Sequence, residues 1–288
     1  MILVVGGTGH LGSVLIPLLV ARGEELRVLS RNRSAALPAG CELVVGDVRS
    51  PASVEEAVTG CHTVISAFHG FMGGRGAGPD EVDRVAGIGL IDAARHTGSR
   101  FLYVSALGAA ADHPLSLLRA KYETEQHLVA SDLDWTILRP ATYLEVWLEI
   151  VRGKLDSGGP ALVLGHGENP INFVSIHDVA AVVQHCLVNP TTVRQVIDVA
   201  GPENLTLVEL ARAQGADKIK HVPLGALRTL QHLAKPFAPA FARQAAMGVQ
   251  LNTRDMTAPA SPEQLRPHRT LTSILASDPA MPSPPFSP

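Results

Sequence analysis

The sequence predicts an α/β protein: a doubly wound parallel sheet followed by a smaller C-terminal lobe. Three observations lead there. The chain opens on an apolar run, Ile2 to Val5, that enters the turn Gly6-Gly7-Thr8-Gly9-His10-Leu11-Gly12 and then the helical pattern Val14, Leu15, Leu18, Leu19. Apolar runs then alternate with helical stripes as far as Pro140. Such alternation implies right-handed crossovers and a parallel sheet covered on both faces. Beyond Pro140 the alternation loosens, and glycine and proline become frequent. The chain therefore divides into a core over 1–140, a mixed lobe over 141–256 with a strand near 196–200 returning to the core sheet, and a proline-rich tail over 257–288.

The elements follow in order. After the opening strand and helix, strands are expected at Leu26–Ser30, Glu42–Val45, Thr63–Ser66, Phe101–Ser105, Trp135–Leu138 and Val196–Ala200. Ser50 is placed to cap a helix whose first position is Pro51, ahead of Val54, Ala57 and Val58. Val82, Val85, Ile88, Leu90 and Ile91 stripe another helix that Gly98 ends. The stretch from Gly153 to Pro170 reads as a loop region. Ser175 with Asp178, and Thr206 with Glu209, each fit a reciprocal capping box. From about Thr257 the prolines and small polar residues predict a loosely wrapped or partly disordered end.

Composition narrows the class. With 288 residues, 46% hydrophobic and 18% charged, the chain can bury a sizeable core as a soluble globular protein. A net charge of −3 without a local Lys/Arg cluster argues against a nucleic-acid surface. Cys41, Cys61 and Cys186 are few, scattered and odd in number, as in a reducing compartment with neither disulfides nor a zinc cluster. Met1 abuts the first strand, which leaves no signal peptide, and no apolar stretch approaches the roughly 20 residues of a membrane span. The expectation is a cytoplasmic protein, monomer or homodimer, acting on a small molecule.

The glycine turn carries the most chemistry. Strand, glycine loop and helix in that order build a pyrophosphate site, because glycines let the backbone approach the phosphates and the helix start offers free N–H groups. Gly6, Gly9 and Gly12 follow G-x-x-G-x-x-G, the spacing of short-chain dehydrogenases, in the required strand-to-helix context. Gly6, Thr8, Gly9, His10, Leu11 and Gly12 are thus assigned to a dinucleotide. The second strand ends in Leu29-Ser30-Arg31-Asn32-Arg33 without a carboxylate for the ribose 2′-hydroxyl of NAD. Ser30, Arg31 and Arg33 instead suit a 2′-phosphate, favouring NADP(H) and leaving NAD(H) possible; the plain alternative is two solvated arginines in a turn. Asp47 and Val48 fall where adenine would lie, although Asp47 also reads as a turn and cap acid. Ser66, Ala67 and Phe68 end the fourth strand and should run along the cofactor.

Ser105 ends the fifth strand facing the expected nicotinamide and is a candidate catalytic hydroxyl, or only a turn residue. Lys121 is the second catalytic candidate, to hold the nicotinamide ribose or protonate the substrate; otherwise it is an exposed helical lysine paired with Glu125. A short-chain dehydrogenase places a tyrosine four residues before this lysine, and here Leu117 stands there. Tyr103, Tyr122 and Tyr143 do not restore the pair. His69 and His113, in loops at the sheet's carboxyl edge, are candidate proton donors. His177 and Asp178 are adjacent on a helix and do not face each other, so capping explains Asp178 better. A pocket wall is drawn from Phe68, His69, Met72, Leu107, Tyr143, Leu144 and Trp147; ordinary core packing is the alternative, and for Leu144 and Trp147, at helical spacing, it is the stronger reading. No metal-site spacing and no hydrolase nucleophile elbow occur.

The segments VVGGTGHLG, KYETEQHLVASDLDWTILRP, INFVSIHDVA and VIDVAGPENLTLVELA resemble the NmrA-like group of atypical short-chain dehydrogenases from Met1 to about Ala213. The resemblance implies a Rossmann-type core with a smaller C-terminal substrate lobe. It also implies NADPH-dependent reductases of quinones, triphenylmethane dyes and phenylpropanoids, or regulators that bind the dinucleotide without catalysis. By this resemblance the glycine loop and Arg31 belong to the NADP site and Lys121 matches a lysine near the nicotinamide. Asp178 and Arg139-Pro140 match structural positions. The missing tyrosine is usual in the group. The leading expectation is an NADPH-dependent oxidoreductase for a quinone, enone or imine-like acceptor. The rivals are an inactive NADP(H)-binding redox sensor and a non-redox isomerase or cyclase.

Overall fold

The computed structural model describes residues 1–153, 155, 158–258 and 267–277. Seven strands form one sheet: β1 (Ile2–Val5), β2 (Leu26–Ser30), β3 (Glu42–Val45), β4 (Thr63–Ser66), β5 (Arg100–Val104), β6 (Trp135–Pro140) and β10 (Gln195–Val199). Their order is β3-β2-β1-β4-β5-β6-β10, and every pairing is parallel. Chain direction along the sheet reverses between β1 and β4, which opens a crevice at the carboxyl ends of those two strands. The two-residue period of β1 sends Ile2 and Val4 to one face and Leu3 and Val5 to the other. The first face is covered by α1 (His10–Ala21) and α6 (Ile176–Val188); the second by α2 (Pro51–Val58), α3 (Gly87–Thr97) and α4 (Ser116–Val129). Continuous apolar strands are what a sheet buried on both faces requires.

Helix signals act as the residue types dictate. The Ser50 side chain accepts from the Ser53 amide with Pro51 opening α2, and Gly98 ends α3 at φ 66°. The stripe from Val82 begins one segment early, as a π-helical turn over Asp80–Ala86. At Thr206 the capping box forms, whereas at Ser175 it does not. The Ser175 hydroxyl donates to Glu145 at 2.5 Å, and Asp178 accepts instead from the backbone amides of His268 and Arg269 at 3.1 and 2.9 Å.

The C-terminal lobe holds β7 (Thr142–Tyr143), α5 (Leu144–Arg152), β8 (Ala161–Leu164), β9 (Ile171–Val174), β11 (Glu203–Leu205), α7 (Leu207–Ala213), β12 (Ile219–Val222), α8 (Leu224–Leu233), α9 (Pro239–Thr253) and α10 (Leu271–Ser277). Three differences from the sequence reading matter. The supposed loop region contains β8, whose parallel partner β12 lies far along the chain. Helix α6 falls within 141–256 yet packs on the core sheet beside α1. Within the tail, Leu271 and Ile274 of α10 are buried in the lobe core, so that segment is folded and packed. The expectations for 259–266 and 278–288 lie outside the described residues.

Candidate cofactor and catalytic site

The glycine turn closes tightly over the sheet edge. Gly6 has φ 92°, and a Cβ there would stand 2.5 Å from the Ala67 carbonyl oxygen. A Cβ on Gly12 would collide with the Gly7 backbone, so both positions demand glycine for close approach. Gly9 caps α1 without a side-chain acceptor, and the first turn holds no acid. The orphan N–H groups of that turn are left for an anion, which suits a pyrophosphate. Thr8, Gly9 and His10 are exposed on the turn, while Leu11 packs into the core and offers only its backbone.

At the end of β2 the Ser30 hydroxyl accepts from the Asn32 amide at 3.1 Å and shapes the turn. Arg31 and Arg33 are exposed, and among the described residues neither has a hydrogen-bond or ion-pair partner. Asp47 is bound by Arg49 through both carboxylate oxygens at 3.0 and 2.7 Å, and that pairing holds its pKa below the usual carboxylate range. The turn reading of Asp47 is therefore satisfied locally, and Val48 is half-buried against the core. Ser66 is buried at the end of β4, and the Ala67 amide donates to Val5 across the switch point at 2.8 Å.

The structure revises Lys121 most. It is buried, not exposed, and does not pair with Glu125. Its ammonium donates to the carbonyls of Phe68 (3.0 Å) and Val104 (3.1 Å), stands 3.1 Å from Asp83 Oδ1, and lies 4.9 Å from the centre of the Tyr103 ring. Asp83 Oδ2 accepts from the Gly70 amide at 2.7 Å. One buried ion pair thus ties the ends of β4 and β5 to the loop that begins at Phe68. Glu125 has other partners: it receives the Ser105 hydroxyl and the Arg139 guanidinium at 3.0 and 2.5 Å. Its carboxylate holds the Arg139 pKa above the ordinary range. The Ser105 hydroxyl is therefore engaged as a donor inside a buried network rather than free at the strand end.

His69 lies at the crevice in the electrostatic reach of Asp83, Lys121 and His10. Desolvation lowers its pKa, with Asp83 opposing. Its Nδ1 accepts from the Phe71 amide at 3.3 Å, so in the neutral ring Nε2 carries the hydrogen. His113 is buried in a turn where Nδ1 accepts from the Leu115 amide. Of the proposed pocket wall, Phe68, Leu107 and Tyr143 are half-buried at core edges, and burial raises the Tyr143 pKa. Leu144 and Trp147 follow the core reading of their helical spacing and not the pocket-wall one: both are buried in the lobe core, because α5 turns its apolar stripe onto β8 and α7. Met72 is 59% exposed on the loop surface rather than inside a pocket.

Sequence reasoning missed Asp83, Glu125 as the partner of Arg139, and the clamp at Asp178. Glu125 was visible on the Lys121 face of α4, four residues on; Asp83 carried no local signal.

An all-parallel sheet with this switch point, a glycine turn at β1 and an uncapped helix start defines a dinucleotide-binding α/β protein of the Rossmann type. A family model described as NAD(P)H-binding matches residues 6–190. The chain is 30% identical over 220 residues to the NAD(P)H azoreductase of Xenophilus azovorans, covering 75% of this chain and 73% of that protein. It is 28% identical over 248 residues to the photosystem II assembly factor Ycf39 of Synechocystis sp., covering 82% and 74%. In fold it is similar to the Citrobacter sp. triphenylmethane reductase complexed with NADP(H), with TM-score 0.77, 20% identity and 96% and 99% of the two chains covered. It is likewise similar to the NADPH-dependent quinone oxidoreductase QOR2 of Escherichia coli, with TM-score 0.71, 22% identity and 96% and 99% covered. The chain belongs to the NAD(P)H-binding family, within its NmrA-like atypical short-chain dehydrogenase/reductase group.

Proposed function

We propose that this protein is an NADPH-dependent reductase of small, apolar, conjugated acceptors: a quinone, an enone, or an imine-like or azo double bond. The observation that carries this reading is the state of Lys121. No phenol stands four residues before it, and its ammonium is committed to two carbonyls and Asp83. A Lys121 without a phenol four residues before it to protonate a carbinol oxygen suits acceptors whose reduced form takes its proton from water. The azoreductase relative fits the same acceptor chemistry.

The roles follow from position. The glycine turn and the start of α1 bind the pyrophosphate; Arg31 and Arg33, unpaired among the described residues, bind a 2′-phosphate and favour NADPH over NADH. When bound, the reduced nicotinamide supplies the hydride. Lys121 and Asp83 are positioning residues that fix the Phe68 carbonyl and the base of its loop. Ser105, Glu125 and Arg139 hold the β5 end in the same way. His69, neutral with Nδ1 accepting from the Phe71 amide, offers its Nε2–H as a hydrogen-bond donor to the acceptor, and the proton that completes the two-electron reduction comes from water. A dinucleotide-binding regulator is the second reading, favoured by the same saturation of Lys121 and by the assembly-factor relative.

The test is purified protein with NADPH and a panel of naphthoquinones, enones and azo dyes, followed at the reduced-nicotinamide absorbance band. The proposal predicts acceptor-dependent NADPH loss that falls about tenfold in His69→Ala, the effect of losing one hydrogen bond to the acceptor. No loss above the protein-free control with every acceptor, while NADPH still binds, would leave the regulatory reading.

A further inference from the structure

We propose that the tip of the α8–α9 hairpin docks on an anionic lipid bilayer surface. The observation starts in the sequence. The whole chain carries a net charge of −3, yet from Lys218 to Arg254 there is no Asp or Glu, while Lys218, Lys220, Arg228, Lys235, Arg243 and Arg254 all lie in that span. Helices α8 and α9 pack on each other through Leu227, Ala245 and Val249, which settles their inner faces. Their tip then points large apolar side chains at solvent: Leu233 is 67% exposed, Phe237 88% and Phe241 49%. A lone exposed leucine needs no explanation, but a phenylalanine this bare at a turn, flanked by bulky neighbours, does.

Basic groups lie at and beside the tip, whereas Lys218, Lys220 and Arg254 belong to the opposite end of the hairpin: Lys235 is exposed at the tip, Arg228 is exposed further back on α8, and Arg75 reaches across from the loop after β4 to donate to the Pro236 carbonyl at 2.7 Å. Phenylalanine and leucine among lysines and arginines, with no acid, is the composition of a segment lying in the interface of an anionic membrane. No helix among the described residues is long and apolar enough to cross a membrane, so the contact is with the surface. A second copy of the chain fits less well, because a two-fold contact through this patch would bring the basic groups of both copies together with no acid of the segment to offset them.

The hairpin is also joined to the candidate site. Arg243 donates to the carbonyls of Phe71, at 2.7 Å, and Gly73, in the loop that begins at the Lys121-bound Phe68. Docking through Phe237 brings that loop and the exposed Met72 to the lipid, where an apolar acceptor would dissolve. This last link rests on the reductase reading; the docking itself does not.

The experiment is sedimentation of the full chain with vesicles of phosphatidylcholine alone or with added phosphatidylglycerol. The bound fraction should rise at least about tenfold with the anionic lipid and collapse in molar salt. Phe237→Ser and Lys235→Glu should each cut binding about tenfold with the thermal midpoint unchanged. In Phe237→Trp the added indole should shift its emission to the blue on anionic vesicles, against buried Trp135 and Trp147. Equal sedimentation with and without anionic lipid, full binding by both variants, or a dimer that the same variants dissolve overturns the proposal. NADPH consumption enters none of these readouts, so they stand apart from the test of the reductase.

Discussion

Among single residues, Lys121 and Asp83 matter most, and both are almost wholly inaccessible. A buried ion pair contributes little over a well-packed apolar pair, but removing one partner strands a charge. Lys121→Met should therefore destabilise by about 3–5 kcal/mol, and adding Asp83→Asn should recover a large part of that; urea unfolding of the two singles and the double measures the coupling. The histidines give a pH test. Burial lowers the pKa of His113 in the folded chain, so below its ordinary value of 6.5 the unfolded chain binds the extra proton first. That share of stability is complete above pH 6.5, declines as pH falls through it, and levels off below the folded pKa. A His113→Gln variant should show a flatter dependence of the urea midpoint on pH across that window. At this scale the sequence showed Lys121 but not its partner. Nothing near Asp83 marks it, because a π-helical turn and the packing of α3 against α4 decide that it faces inward.

At the element scale, what was legible follows local chemistry. The parallel strands announced themselves as continuous apolar runs, and Ser50, Gly98 and Thr206 marked helix ends because capping is settled within a few residues. Thr206→Ala, which removes the acceptor for the Glu209 amide, should cost about 1 kcal/mol in thermal or urea unfolding. In the glycine turn, Gly12→Ala should lower NADPH affinity more than about tenfold in a fluorescence titration, since the Cβ must push the Gly7 backbone out of the phosphate cradle. Element β8 was not legible: its partner β12 is distant in sequence, and a strand of four residues between glycines looks like a loop until that partner is known. The Ser175 box failed for a similar reason, because Glu145 and the segment at His268 compete for the same groups.

Across the whole molecule, the cofactor crevice, the lobe and the C-terminal segment are tied together by a few buried polar groups. Asp178 on α6 holds the amides that lead into α10, whose Leu271 and Ile274 complete the lobe core. Ile274→Ala should cost about 2–4 kcal/mol, and Asp178→Ala about 1–3 kcal/mol, both visible as a lower urea midpoint. The Rossmann-type architecture was readable from the first dozen residues and the strand rhythm, whereas the lobe is set by long-range pairings that no window reveals. The central claim is that the site takes NADPH through Arg31 and Arg33, since the reductase reading depends on it. A thermal-shift comparison tests it most directly, because a ligand that binds only the folded chain must raise its melting point. A larger rise is expected with NADPH than with equimolar NADH, and Arg31→Glu should abolish that difference; an equal response to the two cofactors in the native chain, or no response to either, contradicts NADPH binding through Arg31 and Arg33.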